Sequence, residues 1–234
     1  MNSPVAVVAG AGPGLGRALA QRFAQAGLRV ALLARDPERV QALAAAVGPD
    51  TLPIACDLAE PVAVSAAFAR IDRELGPAQC VIFNAGTFRP GGILEVSAQD
   101  FQDCWKIGCF AGFLVGQQAA RRMIERGSGS ILFTGATASL RGSARFANLA
   151  SPKFALRALA QSMARELGPR GIHVAHVVID GQIHAPGPDA AAAARGPDSQ
   201  LAPAAIAEAY WQLHAQPRSA WTLELDLRPW VEKF

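Results

Sequence analysis

The chain lacks any apolar run long enough to cross a bilayer, which takes about 20 consecutive residues. It also shows no basic, cleavable leader: its start leads directly into a strand-like run, so a cytoplasmic protein is expected. Charge of one sign is scarce. Lys and Arg number 22 against 19 Asp and Glu, a formal net charge of +3. The basic residues are dispersed, with no Lys/Arg block interleaved with aromatics, which argues against nucleic acid and membrane surfaces as partners. Cysteine is sparse. Cys56, Cys80, Cys104 and Cys109 lie far apart or five residues apart, so no metal-ligand spacing arises and no metal is expected. Cys56 and Cys80 read as reduced, small apolar core residues. Tyrosine occurs once, at Tyr210. Neither an internal repeat nor an interdomain linker is visible. The 234 residues, 51% of them hydrophobic, are therefore expected to fold as one domain with a sizeable core.

The most informative feature present lies near the start. Val5-Ala6-Val7-Val8-Ala9 empties into Gly10-Ala11-Gly12-Pro13-Gly14-Leu15-Gly16. Leu15, Leu19, Phe23 and Ala26 follow at helical spacing, and Gly27 closes the helix. Glycines there let the backbone turn tightly and approach a pyrophosphate, and the N–H groups opening the next helix face its charge. A plain turn also collects glycine; the strand before and the helix after favour a dinucleotide site.

Strand-like and helix-like segments then alternate. Strands are expected at 5–9, 28–34, 51–55, 79–83, 130–134 and 172–179. Helices are expected at 37–47, 61–75, 97–126 and 146–167, the third with Phe101, Trp105, Gly108, Gly112 and Val115 on one face. Strands apolar throughout belong in a sheet covered on both faces, and this alternation implies an α/β, Rossmann-type, doubly wound parallel sheet. Two regions break the pattern. Residues 184–202, rich in Ala, Pro and Gly, read as a loop opening a lid over 184–215, although the alanines at 190–194 also suit a helix turn. In the divergent C-terminal segment 216–234, alternation from Trp221 to Leu227 suggests a last strand with one buried face.

Taken together, over residues 4–185, these motifs resemble the short-chain dehydrogenase/reductases, single-domain NAD(P)-dependent enzymes. The run from Ala9 to Gly16 is similar to that family's T-G-x-x-x-G-x-G, with Ala for Thr. Cys56-Asp57-Leu58 matches its adenine-contacting Asp after strand three, and Phe83-Asn84-Ala85-Gly86 its N-N-A-G after strand four. Lys153 falls where its active-site Lys belongs. Read alone, Asp57 suits a helix N-cap, Asn84-Ala85-Gly86 a turn, and Lys153 a solvated helix lysine. The resemblance implies a nucleotide held by Gly10, Gly12, Pro13, Gly14, Leu15, Gly16, Asp57, Leu58, Asn84, Ala85, Gly86, Lys153, Gly181 and the backbone of Ile183. Arg35, just past strand two, suits a 2′-phosphate, so NADP is favoured over NAD. Asp36 competes, by pairing with Arg35 or reaching a ribose hydroxyl.

The chain departs from the family in its chemistry. The resemblance places the proton-donating Tyr at Leu149, the Ser at Ala136 beside Thr137, and the Asn at Cys109. The motif after strand six reads Asp180-Gly181-Gln182-Ile183-His184-Ala185. His184, near the expected nicotinamide end, is the first candidate for a replacement proton donor, ahead of Cys109 and a Tyr210 reaching in from the lid; Thr134 and Thr137 could orient a carbonyl but are poor acids. Phe88, Phe146, Leu149 and Trp211 are candidates for an apolar substrate lining. The expected function is oxidoreduction of a small carbonyl or alcohol with NADP(H). The alternative is an inactive dinucleotide-binding protein, a redox sensor or an inactive partner subunit. The two long helices imply a homodimer or homotetramer, by resemblance.

Overall fold

The computed structural model describes residues 3–185 and 194–232. Seven strands form one sheet: β1 (Val5–Ala9), β2 (Arg29–Ala34), β3 (Thr51–Ala55), β4 (Ala78–Phe83), β5 (Gly129–Thr134), β6 (Ile172–Ile179) and β7 (Glu224–Leu227). Their order is β3-β2-β1-β4-β5-β6-β7, and every neighbouring pair is parallel. The apolar strands are apolar because both faces are covered. Along β1, Val5, Val7 and Ala9 pack toward one helical layer, and Ala6 and Val8 toward the other.

One layer holds α3 (Pro61–Glu74), α5 (Ala111–Arg126) and α6 (Ala147–Leu167); the other holds α1 (Leu15–Gln25), α2 (Pro37–Val47) and α7 (Pro203–His214). Phe68, Phe83 and Phe133 are fully buried in the first core and Phe23 in the second. Each such ring contributes about 1.5–3 kcal/mol relative to exposure. The chain leaves β1 toward β2 and β3 on one side and returns to β4 on the other. The carboxyl ends of β1 and β4 therefore flank a topological switch point, where ligands of such sheets bind.

The long helix expected over 97–126 is interrupted. Ser97 caps α4 (Ala98–Trp105), the chain makes a π turn over Lys106–Phe110, and α5 continues. An extra residue in the turn rotates α4 by about 100° relative to α5. Gly108, Gly112 and Val115 accordingly face the interior, while Phe101 and Trp105 remain exposed, so the expected single face is two. A Cβ at Gly108 would meet Pro152 at 2.8 Å and one at Gly112 would meet Leu156 at 2.5 Å, which is why α6 lies so close to this rod.

The end of the chain also differs from expectation. Residues 203–214, within the expected lid, form α7, with Ile206, Ala207, Tyr210 and Leu213 buried against α1 and the sheet. Residues 186–193 of the expected lid lie outside the described residues. Only Glu224–Leu227 of the last predicted strand pairs with β6, and it is half-buried rather than buried on one face. Trp221 instead stacks on His173, ring centroids 5.0 Å apart. Among the described residues no helix is long and apolar enough to cross a membrane.

Candidate active site

The loop between β1 and α1 is a backbone surface. Gly10 has φ +92°, and a Cβ there would stand 2.4 Å from the Ala85 nitrogen, so only glycine lets the β1 and β4 loops approach this closely. Gly10 N–H donates to the Leu33 carbonyl and Asn84 N–H to that of Ala9, while Asn84 Nδ2 donates to the Gly10 carbonyl at 3.1 Å. Gly12 and Gly14 face open space, a cradle that side chains would fill. Gly14 starts α1 with no side-chain cap, so the first-turn N–H groups beside Leu15 and Gly16 remain for an anion. Residues and loop fit a dinucleotide pyrophosphate.

At the end of β2, Asp36 is engaged. It caps α2, accepting from the N–H groups of Glu38 at 3.1 Å and Arg39 at 3.0 Å, and its other oxygen meets Arg39 Nε at 3.2 Å. Arg35 is exposed and makes no ion pair among the described residues. Asp57 accepts from Ala59 N–H at 2.9 Å and so closes a turn; the N-cap of α3 is Glu60. Leu58 beside it is buried, as are the free thiols Cys56 and Cys80.

Lys153, on α6, is buried. Its Nζ donates to the Thr134 carbonyl at 2.7 Å and lies 3.8 Å from where a Cβ on Gly86 would stand, between the carboxyl ends of β4 and β5. Burial pushes its ammonium down to about 8. One turn before it stands Leu149, which is half-buried. His176 of β6 is fully buried, packed onto Gly135, and its Nδ1 lies 3.1 Å from a Glu224 oxygen. Arg157 holds that Glu224 through two bonds of 2.7 Å. Burial drives His176 down to about 4, so it is neutral at pH 7.

The other candidates have different surroundings. Thr137 Oγ1 donates to Asp180 at the end of β6, and Asp180 lies 3.5 Å from Arg228. Cys109 sits in the π turn, buried, its thiol raised by burial and hence weak as a nucleophile. His184 is exposed and its Nδ1 faces Gln200 at 3.0 Å; no bond joins it to Lys153 or Thr137 among the described residues. Ile183 forms a bridge with Leu201, and Gly181 has φ +146° against Pro229. Tyr210 does not reach in from a lid: it is fully buried in α7, 2.8 Å from the Thr134 hydroxyl. Trp211 likewise leaves the expected lining, packing edge-on against Phe23 of α1, whereas Phe88 and Phe146 meet at 4.6 Å. Asp180 and His176 carried no role on sequence grounds. The signal for Asp180 was a carboxylate ending a strand that carries no formal carboxylate or ammonium.

Glycine turn, uncapped helix and switch point of a parallel sheet define a Rossmann-type fold. Within that class, the family model for short chain dehydrogenase matches residues 4–185, and the chain belongs to the short-chain dehydrogenase/reductase family of oxidoreductases. It is similar to the D-threitol dehydrogenase of Mycolicibacterium smegmatis, 31% identical over 177 residues, 74% of this chain and 68% of that one. It is similar also to the human 3-oxoacyl-[acyl-carrier-protein] reductase, 30% identical over 180 residues, 77% and 76% of the two chains. A short-chain dehydrogenase structure from Rhodopseudomonas palustris superposes with a TM-score of 0.84 at 40% identity, covering 97% of this chain and 99% of that one.

Proposed function

We propose that the protein is an NADP(H)-preferring oxidoreductase interconverting a small alcohol and carbonyl, with proton handling that does not use a tyrosine. The observation carrying it is the open glycine backbone at the β1–β4 switch point with the Lys153 ammonium buried directly behind the Asn84–Ala85–Gly86 loop. The bound nucleotide would supply or accept hydride. Gly10, Gly12, Pro13, Gly14, Leu15 and Gly16 would bind its pyrophosphate, Asp57 and Leu58 its adenine, and Gly181 and Ile183 its carboxamide. Lys153, with Asn84, Ala85 and Gly86, would hold the nicotinamide ribose. Phe88 and Phe146 favour an apolar substrate.

NADP rather than NAD is supported by the exposed Arg35 and by Asp36 being committed to the α2 cap. Titration of Arg35→Ala with NADPH and NADH, following nicotinamide fluorescence, is expected to lower NADPH affinity about 10–100-fold, the worth of a charged hydrogen bond. NADH binding should be unchanged. An unchanged NADPH affinity would reject the assignment, and binding of neither nucleotide would reject the function as a whole.

The second reading, a dinucleotide-binding protein without turnover, is favoured by Leu149 standing one turn before Lys153. Steady turnover on a carbonyl and alcohol panel that disappears in Lys153→Met would dismiss it. A cytoplasmic location belongs to the main reading, supported by four free cysteines that suit a reducing compartment.

A homodimer or homotetramer is supported by an aromatic ladder on the α4–α5 rod. Trp105 and Phe110 stack at 6.1 Å, and Phe110 and Phe113 at 6.4 Å. Trp105, Phe113 and, on α6, Phe154 are each about two-fifths exposed. Trp105→Glu with Phe113→Glu is expected to leave a monomer in sedimentation velocity. An unchanged mass would move the interface elsewhere.

A further inference from the structure

Thr137 and Asp180 lie where the carboxyl ends of β5 and β6 meet, and their bond fixes which way a hydroxyl proton points. A carboxylate only accepts, so the hydrogen bond between them makes Thr137 the donor. Asp180 is buried, its N–H donates to the Leu227 carbonyl, and Arg228 Nη2 stands 3.5 Å from its second oxygen. The C-terminal segment therefore clamps this carboxylate from behind, and Pro229 packs against Gly181 beside it. Thr137 is half-buried and opens a 3-10 turn, Thr137–Ser139, packed against α6, the helix that carries Leu149 and Lys153. With its proton committed to Asp180, Thr137 Oγ1 offers a lone pair. It is matched to the O–H of an alcohol and mismatched to the bare oxygen of a carbonyl.

We infer that Thr137 and Asp180 form the substrate-hydroxyl acceptor and proton relay of this protein, selecting an alcohol as the bound substrate. The inference rests on the nucleotide-dependent function proposed above. In the oxidising direction the carbinol carbon loses hydride to an oxidised nicotinamide dinucleotide. The alcohol's hydroxyl proton passes to Thr137 Oγ1 as the proton already on Thr137 passes to Asp180 Oδ1. A C=O double bond remains on the product, and Asp180 returns its proton to water. Asp180 acts through Thr137 and is a positioning residue; Thr137 is the group that touches the substrate.

The test uses the full chain and complexes that cannot turn over. Cyclohexanol and 1-phenylethanol are titrated into the protein with NADPH bound, and cyclohexanone and acetophenone into the protein with NADP+ bound, following tryptophan fluorescence. The wild type is expected to bind each alcohol at least about tenfold more tightly than its ketone, the worth of a hydrogen bond to a charge-backed acceptor. Thr137→Val and Asp180→Asn should erase that preference, and Thr137→Ser, which keeps the hydroxyl, should restore it. The Thr137 pair keeps the test decisive if Asp180→Asn, deprived of its Arg228 contact, folds poorly. Absence of an alcohol preference in the wild type, or its survival in Thr137→Val, overturns the inference. Nucleotide affinity is read in the same titrations. Its loss in the wild type would instead strike the proposed function, so the two failures are distinguishable.

Discussion

Gly10→Ala is expected to remove nucleotide binding and to cost the protein about 2–5 kcal/mol of stability, combining a left-handed backbone forced on a non-glycine residue with overpacking. At Gly10 φ is +92°, and the new methyl would stand 2.4 Å from the Ala85 nitrogen and 2.8 Å from the Ala85 Cβ. Those are backbone and short side-chain atoms that cannot swing aside. The β1 and β4 loops would have to part, breaking the bonds from Asn84 to the Ala9 and Gly10 carbonyls. Binding and stability fall together because one contact serves both. Thermal unfolding, at about 2–4 °C for each kcal/mol in a domain of this size, should show a drop of roughly 4–20 °C. The control is Gly12→Ala, whose methyl meets nothing within 4 Å among the described residues. It should retain stability while nucleotide affinity falls, because its methyl occupies the cradle alone. A Gly10→Ala protein with wild-type melting and NADPH affinity would mean that the two loops are not held at this distance.

The second large effect concerns Lys153, and its sign is unusual. Burial lowers the ammonium from 10.5 to about 8, a gap worth about 3 kcal/mol at roughly 1.4 kcal/mol for each tenfold. Between about pH 8 and 10.5 the unfolded chain binds a proton that the folded protein does not. This group therefore raises stability as pH climbs through that window, and below pH 8 the folded protein carries the full cost of a buried charge. Lys153→Met fills the same space without charge. It forfeits the bond to the Thr134 carbonyl, which offsets part of the gain. The nucleotide-free variant is expected to be about 1–2 kcal/mol more stable than wild type at pH 7. It should also lose the part of the alkaline rise in melting temperature that Lys153 contributes, while any turnover falls about 10²–10⁴-fold. A stabilised but inactive variant marks a residue kept for chemistry against its folding cost. A destabilised one would show that the Thr134 bond outweighs the buried charge.

The β1–loop–α1 unit and the parallel sheet were legible in the sequence because apolar strands and a glycine run at a strand end each have one economical explanation. Lys153 was legible only through its spacing relative to the family motifs. The π turn was not, since its extra residue leaves no mark in composition and 97–126 keeps an unbroken helical propensity. Nor was α7: the Ala- and Pro-rich run before it reads as loop, and Ile206, Tyr210 and Leu213 belong to a core completed by α1, far away in the chain. Asp36 posed a question of direction that sequence cannot answer, and the α2 cap answers it. The Thr137–Asp180–Arg228 chain joins three segments that meet only when β5, β6 and β7 lie side by side.

The placement of Tyr210 gives the molecule a built-in optical reporter. Its phenol is the chain's only one, sealed between α7 and the sheet, and burial pushes its ionisation well above the ordinary value of 10. While α7 stays seated, burial disfavours phenolate. Near pH 10, where an exposed phenol is about half ionised, the ultraviolet absorbance of phenolate is therefore expected to rise with the fraction of molecules in which that helix has come away, read from one chromophore without a label.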